Sequence, residues 1–372
     1  MKIVMTGGGT GGHIYPALAI ADKFKEKDPG TEVLYIGDKN CMESTIVPGA
    51  GYEFRDVPAE EVNRGNFLLL AKTGVKNIAG IYKARDILDE FKPDAVIGTG
   101  GFVSFPVIYA AHTLGIKSYF HESNAFPGLA NRMLEKYAGK VFLGFRSASG
   151  FFRQPEKHIV TGNPVREAFF GLDKDASRER LGIDKDAFVI LSFGGSLGAG
   201  TINDVMYDVM KQVNGEKRIV MLFGTGKAYY DKITERIKED KIELEDNIVL
   251  KPYIDNMTDC LAACDIVVSR SGALTVAEIC TCGRASVLVP SPNVTGNHQY
   301  YNAKEVADNG GAVLIEDKDF DFDKMMPLIV KLLNEPDEVE RMGSCAAEMA
   351  GGDAAEQIYE AIIKDLSKTE NE

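Results

Sequence analysis

The chain has 372 residues, 45% of them hydrophobic and 26% charged, with a net charge of −13. That length suits two domains better than one core, and the ordinary composition excludes a disordered or fibrous chain. The acidic balance argues against nucleic acid as a partner.

The charge is uneven. Residues 1–166 hold 20 Lys+Arg and 17 Asp+Glu, a net of +3, and the remainder holds 22 and 38, a net of −16. The first half alone is therefore expected to meet an anionic surface. The chain opens directly on a strand without a basic and apolar leader, and no run reaches the roughly 18 apolar residues of a spanning helix. A cytosolic or peripheral membrane protein is expected. The six cysteines, at 41, 260, 264, 280, 282 and 345, show no CxxC spacing and no His cluster, so they are expected to be reduced and mostly buried.

The first strand, Lys2–Thr6, runs into Thr6-Gly7-Gly8-Gly9-Thr10-Gly11-Gly12-His13, ahead of a helix expected over Pro16–Lys27. Glycines let the backbone approach a phosphate, and the following helix points its free N–H groups at it. Gly7, Gly9 and Gly12 also fit GxGxxG, with Asp38 after the strand Val33–Ile36 as a possible ribose acid. A nicotinamide oxidoreductase therefore stands as an alternative. His13, at the helix start, could move a proton to or from a bound hydroxyl. The stretch Arg64–Arg85 is basic, acid-free and rich in apolar residues, with Phe67, Leu68, Leu69 and Leu70 beside Lys72 and Lys76. That composition predicts a membrane-interface segment on an anionic leaflet.

Helices are expected over Asn77–Phe91, Ser104–Leu114 and Leu129–Tyr137, and strands over Ala95–Thr99, Lys117–His121 and Lys140–Leu143. The loops Gly98-Thr99-Gly100-Gly101-Phe102 and His121–Gly128 follow strands, at the edge where parallel sheets bind ligands. Gly and Asn-Pro near Thr161–Arg166 mark the join, predicting a first domain over 1–164 and a second over 165–350, with the helix 353–366 packing back on the first.

The second half repeats the alternation through Ala187–Phe193, Arg218–Phe223, Ile248–Lys251, Ile266–Ser269, Ser286–Val289 and Ala312–Ile315. The first of these strands leads into Gly194-Gly195-Ser196-Leu197-Gly198-Ala199-Gly200. The fourth leads into Ser269–Glu278, where N–H groups near Gly272–Thr275 would face a diphosphate and Glu278 a ribose. Gly296–Ala303, with Gln299, offers amide and imidazole groups for sugar hydroxyls. The repeat at Asp317, Asp319, Asp321 and Asp323 has DxD spacing, but no glycine loop accompanies it, and no protein-held metal is expected. Two glycine loops half a chain apart predict an α/β protein of two doubly wound, Rossmann-like parallel-sheet domains facing one cleft. A non-catalytic nucleotide-sugar binder is the other alternative.

In GGGTGGHIYPALAIA (7–21), GTGGFVSFP (98–106), HESNAFPGLANR (121–132), TGNPVR (161–166), FGGSLGA (193–199), SRSGALTVAE (269–278) and the Gln299 segment, the chain resembles the MurG family of peptidoglycan N-acetylglucosaminyltransferases. The likeness covers essentially the whole chain. It implies a GT-B fold and an inverting transfer from UDP-N-acetylglucosamine to the 4-hydroxyl of the muramoyl sugar of undecaprenyl-pyrophosphoryl-muramoyl-pentapeptide, which turns lipid I into lipid II without an obligatory cofactor. It places Thr10, Gly11, Gly12 and His13 beside the sugar and the acceptor diphosphate, with His13 a candidate base. Asn124 is placed near donor sugar or acceptor, Arg166 and Ser196 against the donor, and the Ile254 backbone on the uracil. Ala273, Leu274, Thr275, Val276, Ala277 and Glu278 would bind diphosphate and ribose, and Gln299 the N-acetylglucosamine. His298 stands where some members carry a second glutamine. The family implies work on the cytoplasmic face of the membrane, where the acceptor tail stays in the bilayer.

Overall fold

The computed structural model describes residues 1–60, 67–195 and 197–369, with the side chains of 67–72, 368 and 369 outside that description. The chain divides into two units, Met1–Arg166 with Gly351–Glu372, and Glu167–Ala350.

The first unit holds strands β1 (Lys2–Thr6), β2 (Glu32–Gly37), β3 (Glu53–Asp56), β4 (Ala95–Gly98), β5 (Ser118–Glu122), β6 (Lys140–Leu143) and β7 (His158–Val160), all parallel in the order β3-β2-β1-β4-β5-β6-β7. Around them run α1 (Gly11–Lys27), α2 (Glu43–Gly49), α3 (Phe67–Phe91), α4 (Ser104–Thr113) and α5 (Leu129–Leu134). The second unit begins with α6 (Lys174–Leu181) and pairs β8 (Phe188–Phe193), β9 (Ile219–Gly224), β10 (Ile248–Lys251), β11 (Ile266–Ser269), β12 (Ala285–Leu288) and β13 (Ala312–Leu314) in the order β10-β9-β8-β11-β12-β13. Its other helices are α7 (Gly200–Val213), α8 (Tyr230–Glu239), α9 (Met257–Ala263), α10 (Ala273–Thr281), α11 (His298–Asp308), α12 (Phe322–Asn334) and α13 (Pro336–Ala350). The last helix, α14 (Ala354–Thr369), belongs to the first unit.

Strands buried on both faces read as unbroken apolar runs, and β8 is buried at every position. Two cores flank the first sheet. One joins β1, β2 and β4 to α4 through Val4, Leu34, Val96 and Val107. The other joins the opposite face to α1 and α14 through Ile14, Phe24, Ile358 and Ile362. Phe24 and Tyr359 meet edge to face at 4.9 Å, and Lys27 pairs with Glu356 at 2.7 Å. In the second unit a large core gathers around Ile190, Met206, Phe223, Val268 and Ile329.

Several elements differ from the sequence expectation. α1 starts at Gly11 rather than Pro16, so Pro16 lies inside the helix and supplies no amide to the Gly12 carbonyl. α3 starts at Phe67 rather than Asn77. β3 and β7 are additional edge strands of four and three residues. No helix among the described residues is long and apolar enough to cross a membrane.

Candidate functional site

In the first unit, loops at the carboxyl ends of β1, β4 and β5 carry the candidate side chains. These strands are neighbours, so their loops meet on one edge. Thr10 caps α1 with extended backbone but no side-chain hydrogen bond, and the first turn holds no acid. The helix amides there keep their attraction for an anion. Thr10 is exposed, and Gly11, Gly12 and His13 are half-buried.

His13 is strapped to the β4 loop. Its Nδ1 donates to the Thr99 carbonyl at 3.0 Å, while Thr99 Oγ1 donates to the His13 carbonyl at 2.6 Å. A carbonyl only accepts, so the neutral ring carries its proton on Nδ1 and its lone pair on Nε2. His121 is fully buried; its Nε2 donates to the Gly162 carbonyl at 3.0 Å. Burial holds it down to about 4, the Gly162 bond opposes that, and a charge on nearby His13 adds to it.

Glu122 organises the following loop. Its carboxyl accepts from the Asn124 amide at 2.9 Å, Asn124 Nδ2 at 3.3 Å, the Gly128 amide at 3.3 Å and Asn131 Nδ2 at 2.8 Å. Burial raises its pKa and these bonds oppose the rise. Asn124 is thus anchored beside the β5 end. Sequence reading missed Thr99, Glu122 and Asn131 as individual functional groups, although all three lie in motifs it singled out.

One expectation for this unit is corrected, and the basic stretch meets acids from other segments. Asp38 is buried; it accepts from the Asn40 amide at 2.8 Å and Asn40 Nδ2 at 2.9 Å, and it lies 3.9 Å from Lys76 Nζ. Its carboxyl closes its own loop, so the nicotinamide reading loses its ribose acid. The basic stretch is also not isolated from acids. Lys76 lies 3.9 Å from both Asp38 and Glu60, and Lys83 pairs with Asp56 at 2.7 Å. Arg64 and the side chains of Phe67, Leu68, Leu69, Leu70 and Lys72 lie outside the described residues. Beyond them, α3 exposes Val75, Ile78 and Tyr82 at 69%, 56% and 66%. Spaced three and four apart, these three share one face of the helix.

The second unit builds its edge from β9, β8, β11 and β12. Ala199 caps α7 and Gly272 caps α10, both without a side-chain bond and without an acid in the first turn. By contrast, α6 and α12 are capped by Asp173 and Asp321. Ser196 lies outside the described residues. The glycine loop packs against the β9 loop: Gly198 has φ +86°, and a side chain on Gly226 would run into the Gly198 backbone. Asn203 Nδ2 donates to the Thr225 carbonyl at 2.8 Å, holding the two loops together.

Ala273 and Val276 are buried on α10, while Leu274, Thr275, Ala277 and Glu278 are half-buried. Gln299 stands against this helix start: its carbonyl accepts from Ser271 Oγ at 2.8 Å, and its Oε1 accepts from the Ser291 amide at 2.9 Å. His298 Nδ1 is 2.9 Å from the Thr295 carbonyl, in the turn that opens α11. The Ile254 side chain is buried beneath Gly224, so its backbone is the part it can offer a ligand. Arg166 is exposed and ends the first segment of the other unit. The acidic repeat is structural. Asp317 pairs with Arg270 and accepts from Thr201 Oγ1 at 3.0 Å, and Asp321 caps α12. Among the described residues no group of three or more His, Cys, Asp or Glu could hold a metal ion.

The glycosyltransferase family 28 N-terminal domain matches residues 3–143, and the family's C-terminal domain matches residues 189–358. A relative from Thermoanaerobacter sp. (strain X514), named UDP-N-acetylglucosamine--N-acetylmuramyl-(pentapeptide) pyrophosphoryl-undecaprenol N-acetylglucosamine transferase, is 40% identical over 367 residues, 99% of this chain and 100% of its own. A relative of the same name from Acetivibrio thermocellus is 38% identical over 369 residues, 99% of each chain. The crystal structure of Acinetobacter baumannii MurG superposes with a TM-score of 0.79 at 26% identity, covering 98% of this chain and 99% of that one.

Proposed function

The chain belongs to the MurG family of N-acetylglucosaminyltransferases, and from that premise we propose how its residues divide the reaction. The protein transfers N-acetylglucosamine from UDP-N-acetylglucosamine to the 4-hydroxyl of the lipid-linked muramoyl-pentapeptide. The hydroxyl oxygen attacks the anomeric carbon, the bond to the UDP oxygen breaks, and the configuration inverts. The hydroxyl proton goes to a base, and UDP leaves with the bonding electrons.

The observation that carries this division is the helix start at Thr10 in the first unit and at Gly272 in the second, neither with a side-chain cap bond or an acid in its first turn. In the second unit, the amides at the start of α10 hold the donor diphosphate and stabilise the charge that grows as UDP departs, so no cofactor is required. Glu278 takes the ribose hydroxyls, the Ile254 backbone takes the uracil, and Ser196 and Arg166 add donor contacts. Gln299, with its Oε1 committed to Ser291, offers its Nε2 hydrogens to the N-acetylglucosamine. In the first unit, Thr10, Gly11 and Gly12 receive the acceptor diphosphate, Asn124 lies beside the sugars, and His13 accepts the hydroxyl proton on Nε2.

The first unit docks on the anionic cytoplasmic leaflet as a peripheral protein, through the Val75, Ile78 and Tyr82 face of α3 together with Phe67–Leu70, Lys72 and Lys76. Calorimetric titration with UDP and with NAD tests the nucleotide half of this reading. UDP binding that weakens in Glu278→Ala supports it, and NAD binding in place of UDP contradicts it.

A further inference from the structure

Glu43 opens α2 and is fully buried, 34 residues from the loop whose amide it holds. Its Oε2 accepts from the Gly9 amide at 3.0 Å, and its Oε1 accepts from the Asp38 amide at 3.2 Å. One carboxyl thus ties the loop after β1 to the loop after β2. The same group explains two glycines. A side chain on Gly8 would collide with the Glu43 carboxyl, and one on Gly37 would come within 2.6 Å of Glu43 Cγ. Gly8 is therefore a glycine because of the protein beneath it, whatever approaches from outside.

Hydrogen bonds and close packing from neighbouring elements also hold this loop. The Gly8 amide reaches the Gly100 carbonyl at 3.3 Å, and the Gly7 carbonyl accepts from Tyr35 Oη at 2.7 Å. Gly9 itself sits at φ +84°, a left-handed conformation that leads directly into Thr10 and α1. Rotation of the Gly9 peptide would re-aim the first amides of that helix and, one turn on, His13.

We infer that Glu43 is a positioning residue for the transfer: its carboxyl fixes the Gly7–Thr10 loop and thereby sets the amides and the base that face the acceptor. This rests on the assignment of the acceptor to the first unit. A carboxylate offers acceptors on both oxygens, whereas a glutamine at this place would turn its NH2 toward one of the two amides. Two donors would then face each other in a fully buried site, a cost comparable to an unsatisfied buried group.

The test is Glu43→Gln, nearly isosteric. We expect kcat to fall by about 10- to 100-fold with the donor KM within about twofold of wild type. Amide exchange should quicken over residues 6–12 and 37–44 while β4 and β5 stay protected. UDP affinity should be unchanged. Near-normal kcat overturns the proposal, as does a loss of kcat without faster exchange in these two loops. Faster exchange throughout β4 and β5 would make Glu43 a residue of the fold at large and overturn it too. A wild-type protein without turnover would sink the transferase reading instead, and exchange in the two loops would then decide the Glu43 tether alone.

Discussion

The Nδ1 of His13 lies 3.0 Å from the carbonyl oxygen of Thr99, 86 residues away, and this contact sets which ring nitrogen can take a proton. With Nδ1 donating, Nε2 is the basic atom of the neutral ring. His13→Ala is therefore expected to lower kcat by roughly 100- to 10,000-fold, the usual range for a lost general base. The donor KM should hardly move, because the groups proposed for the diphosphate, ribose and uracil, Gly272–Glu278 and Ile254, lie in the other unit. Steady-state kinetics over donor concentration checks this; near-normal kcat would leave His13 a strap between loops.

Glu278 sits one turn into α10, whose start lacks both a cap and an acid. Glu278→Ala should weaken UDP binding by about 1.5–3 kcal/mol, the range for hydrogen bonds to a charged group. Calorimetry reads this directly, and unchanged affinity would remove Glu278 from the ribose site.

Docking through α3 rests on area more than charge, since Lys76 and Lys83 lie near acids of their own unit. Val75, Ile78 and Tyr82 replaced together by Ser should reduce co-sedimentation with anionic vesicles by about tenfold or more. The circular dichroism spectrum should not change, because all three side chains are exposed. A triple variant that still sediments would refute docking through this face.

His121 makes the fold sensitive to acid. Its ordinary value of 6.5 falls to about 4 in the fold, mainly through burial. Between these values the unfolded chain binds the extra proton, so stability is complete above pH 6.5 and is lost as the pH falls toward 4. The full loss is on the order of 3 kcal/mol. Thermal melts of wild type and His121→Gln across that window check it. The wild type should lose melting temperature more steeply than the variant, and equal slopes would contradict the assignment.

Much of the fold is legible in the sequence because parallel strands are buried on both faces; Phe188–Phe193 could hardly be anything else. Glu53–Asp56 and His158–Val160 are not legible, since short edge strands with polar side chains carry no clear period. The start of α1 is hidden by Pro16, which reads as a first-turn proline but stands deeper in the helix. The glycine loops announce the site, yet their glycines have mixed causes: Gly8 answers to Glu43, and Gly198 to the Thr225 carbonyl of the β9 loop. The Thr99 strap depends on a partner 86 residues away in the chain, and no local pattern marks it.

Turnover itself tests the central claim. Purified protein is incubated with UDP-N-acetylglucosamine, labelled in the sugar, and a lipid-linked muramoyl-pentapeptide, and the label is followed into the lipid fraction. Label should enter the lipid product with one UDP released per sugar transferred, and His13→Ala should nearly abolish it. UDP binding without transfer to the lipid acceptor would contradict the account and leave a nucleotide-sugar binder.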